Sequence, residues 1–133
     1  KEMLAPLHAV HDFAQTAATQ FAKPIVVEDD LKGANRAVHP VVRTHPVTGR
    51  RGILVNEGHT THIVGMPEDE SQALLQELWD HTTKPDFTYC HEWRVGDVVM
   101  WDNTLTQHLA ICDYALPQRR LLHRTTITGE RPY

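Results

Sequence analysis

The fold of this chain depends most on its last third, which contains the stretch WDNTLTQHLAICDYALPQRRLLHRTTITG, residues 101–129. Here and in residues 86–100, apolar and polar residues alternate with a period of two, which is typical of β-strands. The alternation predicts four short strands, in the runs FTYCHEWRV, DVVMWDN, LTQHLAI and RLLHRTTI. We expect these strands to form an antiparallel sheet or barrel.

The middle of the chain predicts one hairpin and one amphipathic helix. Residues 41–56 contain two β-branched runs around Pro46 and Gly49, which supply turn chemistry. Pro67 then precedes three acidic residues and an apolar stripe at helical spacing, and Pro85 marks the end of the helix. The stripe consists of Leu74, Leu75, Leu78 and Trp79.

The first part of the chain gives weaker signals. Residues 1 to about 20 have apolar residues at roughly helical spacing, which predicts a helix with Pro6 in its first turn. Residues 22–40 and 56–66 predict loops, because they mix short apolar runs with charges, glycine and asparagine. We expect residues 1–133 to form a single, mainly β domain with flanking helices.

Composition narrows the range of partners. The 13 basic and 17 acidic residues give a net charge of -4, and no basic run suggests nucleic acid. No apolar stretch of 18 residues or signal-peptide core is present, and the two cysteines lack metal-type spacing. These features predict a cytoplasmic protein that binds a small molecule and neither nucleic acid nor a membrane. We also expect a homo-oligomer.

Strand parity groups three residues that can carry chemistry. If residues 105–111 and 120–127 are strands, His108 shares a face with Thr106, while Arg120 and Arg124 share a face on the last strand. At about 3.3 Å per residue, the two arginines lie roughly 13 Å apart and reach two different anions. An imidazole suits a divalent metal, and a guanidinium pairs bidentately with a carboxylate or sulfonate.

The same residues also fit an ordinary structural role. A lone histidine in a strand is more often a hydrogen-bonded core or surface residue than a ligand, and an arginine pair is more often a solvated face. Most of the ten histidines must be of that kind. Spacing alone therefore leaves both interpretations open.

The runs HPVVRTHPVTGRRGILVNEGHTTHIVGM and WRVGDVVMWDNTLTQHLAICDYALPQRRLLHRTTITGERP closely resemble the C-terminal part of the taurine dioxygenase family. Members of this family are Fe(II)/2-oxoglutarate-dependent oxygenases. The most specific signature is WDN-x-x-x-QH followed by RR-x-x-HR. The resemblance covers nearly the whole chain and implies a double-stranded β-helix, or jelly-roll, core that is incomplete here.

The resemblance implies roles for individual residues. His108 resembles the distal histidine of the iron-binding triad, and Arg120 the arginine that pairs with the distal carboxylate of 2-oxoglutarate. Arg124 resembles the arginine that contacts the substrate anion in sulfonate-using members. His59 occupies a substrate position that is usually aromatic in taurine-using enzymes. It either donates to an acidic substrate or lines a wider pocket.

The chain departs from the family pattern at two places. No histidine has an acidic residue two positions later, so the His-x-Asp or His-x-Glu motif that supplies the first two iron ligands is absent. Either these residues belong to a longer protein, as we expect from the abrupt start, or iron binding has been lost. The loop ICDYALPQ is one residue longer than in relatives, which leaves Arg119 as the alternative to Arg120.

The expected activity is an Fe(II)- and 2-oxoglutarate-dependent dioxygenation that uses molecular oxygen. The resemblance implies hydroxylation of taurine or a related sulfonate, with release of sulfite and an aldehyde. One alternative within the family is an alkylsulfate or aryloxyalkanoate dioxygenase. Another, from a different class, is a metal-free jelly-roll module that binds a small organic acid through its arginines.

Overall fold

A computed structural model describes residues 2–12, 36–111, 113–115, 117–129, 131 and 133. These residues form a small mainly β structure with one long helix. Its elements in chain order are β1 (His8–Asp12), β2 (Arg36–Pro40), β3 (Val42–Thr44), β4 (Arg51–Ile53), β5 (Thr60–Ile63), α1 (Glu68–Thr82) and a 3₁₀-helix (Pro85–Phe87).

A three-stranded antiparallel sheet has β1 at its centre, between β2 and β5. Ala9 lies opposite His39 on β2 and opposite Ile63 on β5. The register towards β5 shifts after Val10, so that His11 pairs with Thr60. Since side chains alternate along a strand, His11 and His39 lie on the same face of the sheet as Ala9.

The second sheet is the β3–β4 hairpin, in which Val42 lies opposite Ile53. The backbone N–H of His45 donates to the carbonyl of Arg50 at 2.8 Å and closes the turn. Gly49 adopts a φ of +68°, a conformation that a side chain disfavours. The hairpin predicted around Pro46 and Gly49 is therefore confirmed.

Helix α1 confirms the prediction for residues 68–82 and packs against β5. It begins after Pro67, carries three acidic residues in its first turn, and ends before Lys84 and Pro85. The side-chain oxygen of Ser71, which is fully buried, accepts the backbone N–H of Ile63 at 2.8 Å. The core unites both sheets and the helix through Ala9, Val41, Val55, Ile63, Leu75 and Leu78, with Leu74 and Trp79 packed against it.

The helix predicted for the first 20 residues is wrong for the part that can be compared. Residues 8–12 form the central strand β1, because two neighbouring strands pair with this backbone and outweigh the local helical spacing. Residues 13–20 lie outside the described residues. Residues 36–40 and 60–63, which we expected to be loops, form the two strands on either side.

The four strands predicted after residue 86 are not found among the described residues, so these residues do not complete a jelly roll. Alternation predicts which side chains would face a core, but a strand also needs a neighbour for its backbone hydrogen bonds. The two sheets of the described structure supply none for this segment. Its large apolar side chains consequently stay exposed, among them Tyr89, Val98, Met100, Leu109, Leu121 and Ile127.

Among the described helices, none has the length and apolar composition needed to cross a membrane.

Candidate active site

The segment before His108 forms a compact turn, which we call the docking turn (residues 102–107). The carboxylate of Asp102 accepts two hydrogen bonds from Thr104, one from its backbone N–H at 2.8 Å and one from its side-chain hydroxyl at 2.5 Å. The hydroxyl of Thr106 donates to the backbone carbonyl of Asp102. The rings of Trp101 and His108 meet with centroids 4.8 Å apart, so the two ends of the turn are close in space. Residues 103–105 have turn conformation.

His45 ties the start of the docking turn to the β3–β4 hairpin. Its Nε2 lies 2.7 Å from Oδ2 of Asp102. Its Nδ1 accepts the backbone N–H groups of Val47 and Thr48, each at 3.1 Å. An acceptor nitrogen carries no proton, so the hairpin selects the tautomer in which Nε2–H donates to Asp102. The two bonds to Thr104, followed by that from His45, lower the pKa of Asp102 from 3.8 to about 2.

Three further contacts hold the docking turn on the hairpin side of the structure. Nη1 of Arg43, which is buried, lies 3.4 Å from the carbonyl of Thr104. Leu105 covers Gly52, where an added Cβ would lie 2.7 Å from Cδ2 of Leu105. Nε2 of Gln107 donates to the carbonyl of Val55, a fully buried residue, at 2.9 Å. The residue before His108 is thus tied directly to the core.

The residues predicted to bind metal and anions lie in exposed positions. His108, Arg120 and Arg124 are exposed, as is the alternative Arg119. Among the described residues, no hydrogen bond, ion pair or ring contact joins His108 to either Arg120 or Arg124. Their predicted grouping on adjoining strands is therefore not seen, because the strands that would bring them together do not form.

His59 lies elsewhere, in the turn before β5. Its backbone N–H donates to Oδ1 of Asn56 at 2.9 Å, and its carbonyl accepts the N–H of Asp12 at 2.8 Å. The side chain is half-buried and close enough to His11 to contribute to the lowered pKa of that ring. His59 therefore belongs to a group of histidines on the three-stranded sheet.

The sequence did not predict this histidine group, which consists of His11, His39 and His59. The rings of His11 and His39 lie with centroids 5.5 Å apart at an interplanar angle of 51°. Nδ1 of His11 lies 3.2 Å from the hydroxyl oxygen of Thr60. Nε2 of His11 and Nδ1 of His39 are buried and form no hydrogen bond with the described residues. Reading residues 8–12 as a strand would have placed His11 on the face of Ala9, but His39 reaches this face only through the pairing of β1 with β2.

Burial lowers the pKa of two members of this group, His11 and His39. Desolvation, followed by the proximity of His39 and then His59, lowers the pKa of His11 from 6.5 to about 4. Desolvation also lowers the pKa of His39, with further contributions from Arg131 and Arg43. Since both rings share a basic environment, the group disfavours additional positive charge.

The described part of the chain contains no group of three histidine, cysteine or acidic residues able to hold a metal ion. His108 offers one imidazole of the right chemistry for Fe(II), and it is exposed. This chain therefore fits one position of a two-histidine, one-carboxylate set, and the rest of the set is not found among the described residues.

A groove of about 790 Å³ lies between the C-terminal half of α1 and the β3–β4 hairpin. Val42, Ile53 and Leu78 contribute to its apolar lining, and Glu77 and Lys84 to its polar part. Its described lining includes neither His59 nor His108, so the groove is separate from the predicted site residues.

Comparisons with known proteins identify relatives of the chain. The sequence model of the family described as "Taurine catabolism dioxygenase TauD, TfdA family" matches residues 1–126. The chain is 44% identical over 92 residues to the alpha-ketoglutarate-dependent 2,4-dichlorophenoxyacetate dioxygenase of Burkholderia sp. (strain RASC), covering 69% of this chain and 30% of that protein. It is 43% identical over 93 residues to the alkylsulfatase of Acinetobacter baylyi, covering 69% of this chain and 28% of that protein.

A solved structure also matches most of this chain. The crystal structure of a taurine dioxygenase from Burkholderia xenovorans matches with a TM-score of 0.54 and 34% identity, over 71% of this chain and 28% of that chain. The chain thus spans less than a third of the length of each of these three proteins. They differ in the substrates that their names state.

Proposed function

Because the chain belongs to the TauD/TfdA family of dioxygenases, we propose that it contributes to the catalytic domain of an Fe(II)- and 2-oxoglutarate-dependent dioxygenase that acts on a small anionic substrate. The observation that carries this proposal is the family match over residues 1–126. The matched part includes the motif from Trp101 to Arg124.

His108 would provide one of the metal ligands. Its support comes from the position of the histidine in the motif and from the chemistry of imidazole, which binds Fe(II) in its neutral form. Bound Fe(II) supplies the redox chemistry that couples oxygen to the oxidative decarboxylation of 2-oxoglutarate. The contribution of this chain is to hold the imidazole in one orientation, through the docking turn that precedes it.

Arg120 would bind the distal carboxylate of 2-oxoglutarate, and Arg124 the anionic group of the substrate. A guanidinium carries its donors in a planar fork that matches a carboxylate, sulfonate or sulfate in a bidentate manner. Binding at two fixed anion positions would hold the reacting carbon in a defined place, which is how positioning contributes to rate. The functions of Arg120 and Arg119 differ in this proposal because only one of two neighbouring residues points into a common site.

The leading substrate class is a sulfonate such as taurine, in which hydroxylation of the carbon next to sulfur releases sulfite and an aldehyde. Support comes from the arginine at position 124 and the similarity to a taurine dioxygenase. His59 would line the substrate pocket. Alkyl sulfates and aryloxyalkanoates are the second candidate class, which is favoured by 43% and 44% identity to the alkylsulfatase and the dichlorophenoxyacetate enzyme.

A substrate panel tests this proposal in the whole natural protein. Fe(II) and 2-oxoglutarate are supplied with taurine, an alkanesulfonate, an alkyl sulfate or an aryloxyacetate, and succinate, sulfite, sulfate and phenol are measured. Succinate with stoichiometric sulfite from sulfonates is the expected result. Sulfate or phenol release would assign the second class. Binding of 2-oxoglutarate or another organic acid without succinate from any compound would instead favour the metal-free module.

A further inference from the structure

The docking turn is fastened at both of its ends to the β3–β4 side of the core. Asp102 is held by His45 at 2.7 Å, and Gln107 by the carbonyl of Val55 at 2.9 Å. We propose that Asp102 and Gln107 are positioning residues that set the orientation of His108 for metal binding. This inference rests on the proposed function, since it takes His108 as a ligand.

Of the two attachments, Gln107 lies closer to His108. It is bonded in the chain to His108, and its side chain donates to a carbonyl in the buried part of the structure. A side chain tied in this way limits the rotation of the backbone that leads into the next residue. Asparagine, which is one methylene shorter, would leave the donor short of the Val55 carbonyl.

Asp102 fixes the other end through both carboxylate oxygens. Oδ1 accepts two bonds from Thr104, which shape the turn internally, and Oδ2 accepts Nε2–H of His45, which joins the turn to the hairpin. The backbone N–H groups of the hairpin turn hold His45 in the tautomer that can donate. Asp102 therefore fixes the start of the docking turn relative to the β3–β4 hairpin, and it acts on His108 through the turn.

The ring of His108 is limited further by its neighbour at the start of the turn. Trp101 approaches it with centroids 4.8 Å apart at an angle of 49°, and Nε1 of Trp101 lies 3.3 Å from Oδ1 of Asn103. The indole therefore lies beside the imidazole and limits its rotation. A metal ion would bind at a ring nitrogen, in the plane of the imidazole.

The positioning effect is separable from stability. The bond from His45 to Asp102 is exposed, and exposed polar contacts of this kind contribute little to global stability. The bond from Gln107 reaches a carbonyl of the buried Val55, so its loss should also cost about 1–3 kcal/mol of stability. Supporting hydrogen bonds of metal ligands typically affect metal affinity 10- to 100-fold. Asp102 is therefore the attachment at which weaker metal binding can be separated from a loss of stability.

The test measures Mn(II) affinity by calorimetry and the thermal midpoint in the whole natural protein. Gln107→Leu and Gln107→Asn are compared with Gln72→Leu, which removes an exposed bond from a glutamine to the backbone carbonyl of Thr61, at 2.9 Å, together with a bond to Glu68. The expected result is about tenfold weaker Mn(II) binding in both Gln107 variants, with a lower thermal midpoint because a carbonyl of the buried Val55 loses its donor. Asp102→Asn should weaken Mn(II) binding to the same extent, with a thermal midpoint within about 2 °C of the control, because its bond to His45 is exposed.

Two outcomes separate this inference from the proposed function. If Gln107→Leu, Gln107→Asn and Asp102→Asn bind Mn(II) as tightly as Gln72→Leu, while His108→Ala binds weakly, the positioning role is wrong and the ligand assignment stands. If His108→Ala itself binds Mn(II) as tightly as the unaltered protein, the ligand assignment fails, and the positioning role fails with it.

Discussion

The imidazole rings of His11 and His39 pack against each other on the central three-stranded sheet, with centroids 5.5 Å apart. One nitrogen of each ring is buried and forms no hydrogen bond with the described residues. The pKa of His11 is lowered to about 4, chiefly by burial. Protonation at either ring would place a charge in a partly buried basic environment, so this pair makes the sheet sensitive to acid.

We predict that the protein loses stability as the pH falls from about 6.5 to about 4. In this range the unfolded chain binds a proton at His11 that the folded chain does not bind, so the free energy of unfolding rises with pH. Solvent screening of the partly exposed ring limits the effect to about 1–2 kcal/mol. Urea unfolding at pH 7 and pH 5 measures it.

His11→Phe should flatten this pH dependence, because it removes the titrating group. His8→Phe is the matched control, since His8 lies on the same strand but is exposed. An identical loss of stability between pH 7 and pH 5 in both variants would show that His11 is not the source.

Ser71→Ala should destabilise the protein by about 1–3 kcal/mol, because it leaves the buried backbone N–H of Ile63 without its acceptor. Gln72→Ala, one position along the helix, removes an exposed bond and should cost less than about 0.5 kcal/mol. Chemical denaturation of the two variants provides the comparison. Equal losses of stability in the two variants would show that the buried bond between α1 and β5 stabilises the protein no more than the exposed bond does.

Gly52→Ala tests the packing of the docking turn on β4. The added Cβ would lie 2.7 Å from Cδ2 of Leu105 and must displace that side chain, at a cost of about 1 kcal/mol. Gly129→Ala is the control, since an added Cβ there meets nothing within 4 Å. In a double-mutant cycle, Leu105→Ala should remove most of the cost of Gly52→Ala. Additive effects would show that the two residues do not contact each other.

Arg120→Ala should weaken 2-oxoglutarate binding by about 2 kcal/mol or more, or about 30-fold, because a bidentate charge pair is lost. Arg119→Ala should change binding by less than about threefold, since the resemblance assigns the cosubstrate to Arg120 and neighbouring side chains of a strand would point to opposite faces. Calorimetric titration of 2-oxoglutarate into the Mn(II)-loaded whole protein distinguishes the two. The opposite ranking would assign the cosubstrate to Arg119, the alternative left by the longer preceding loop.

Local signals in the sequence predicted the elements that local interactions determine. Pro46 and Gly49 identify the hairpin by their turn chemistry, and Pro67 with the stripe around Leu75 identifies α1. The spacing of Leu4, Leu7 and Val10 indicates a helix, but pairing with β2 and β5 makes residues 8–12 a strand. That pairing depends on residues 24 or more positions away, which a local window does not contain.

The positions of the candidate site residues could not be predicted from local signals in the same way. Alternation placed His108, Arg120 and Arg124 on strands, yet a strand forms only where a neighbour accepts its backbone hydrogen bonds. What the sequence identified is the motif itself, through a resemblance that the family match confirms. The contacts that hold the docking turn, such as those from His45 and Gln107, join positions more than 50 residues apart and were visible only in the structure.

In the proposed function, His108 takes part in an Fe(II)- and 2-oxoglutarate-dependent oxygenation. Succinate formation by the whole natural protein, with Fe(II), 2-oxoglutarate and its best substrate, tests this role when His108→Ala is compared with His123→Ala. We expect His108→Ala to form no succinate above background, while His123→Ala keeps most of the unaltered rate. Equal succinate formation by His108→Ala and the unaltered protein would show that His108 has no such role.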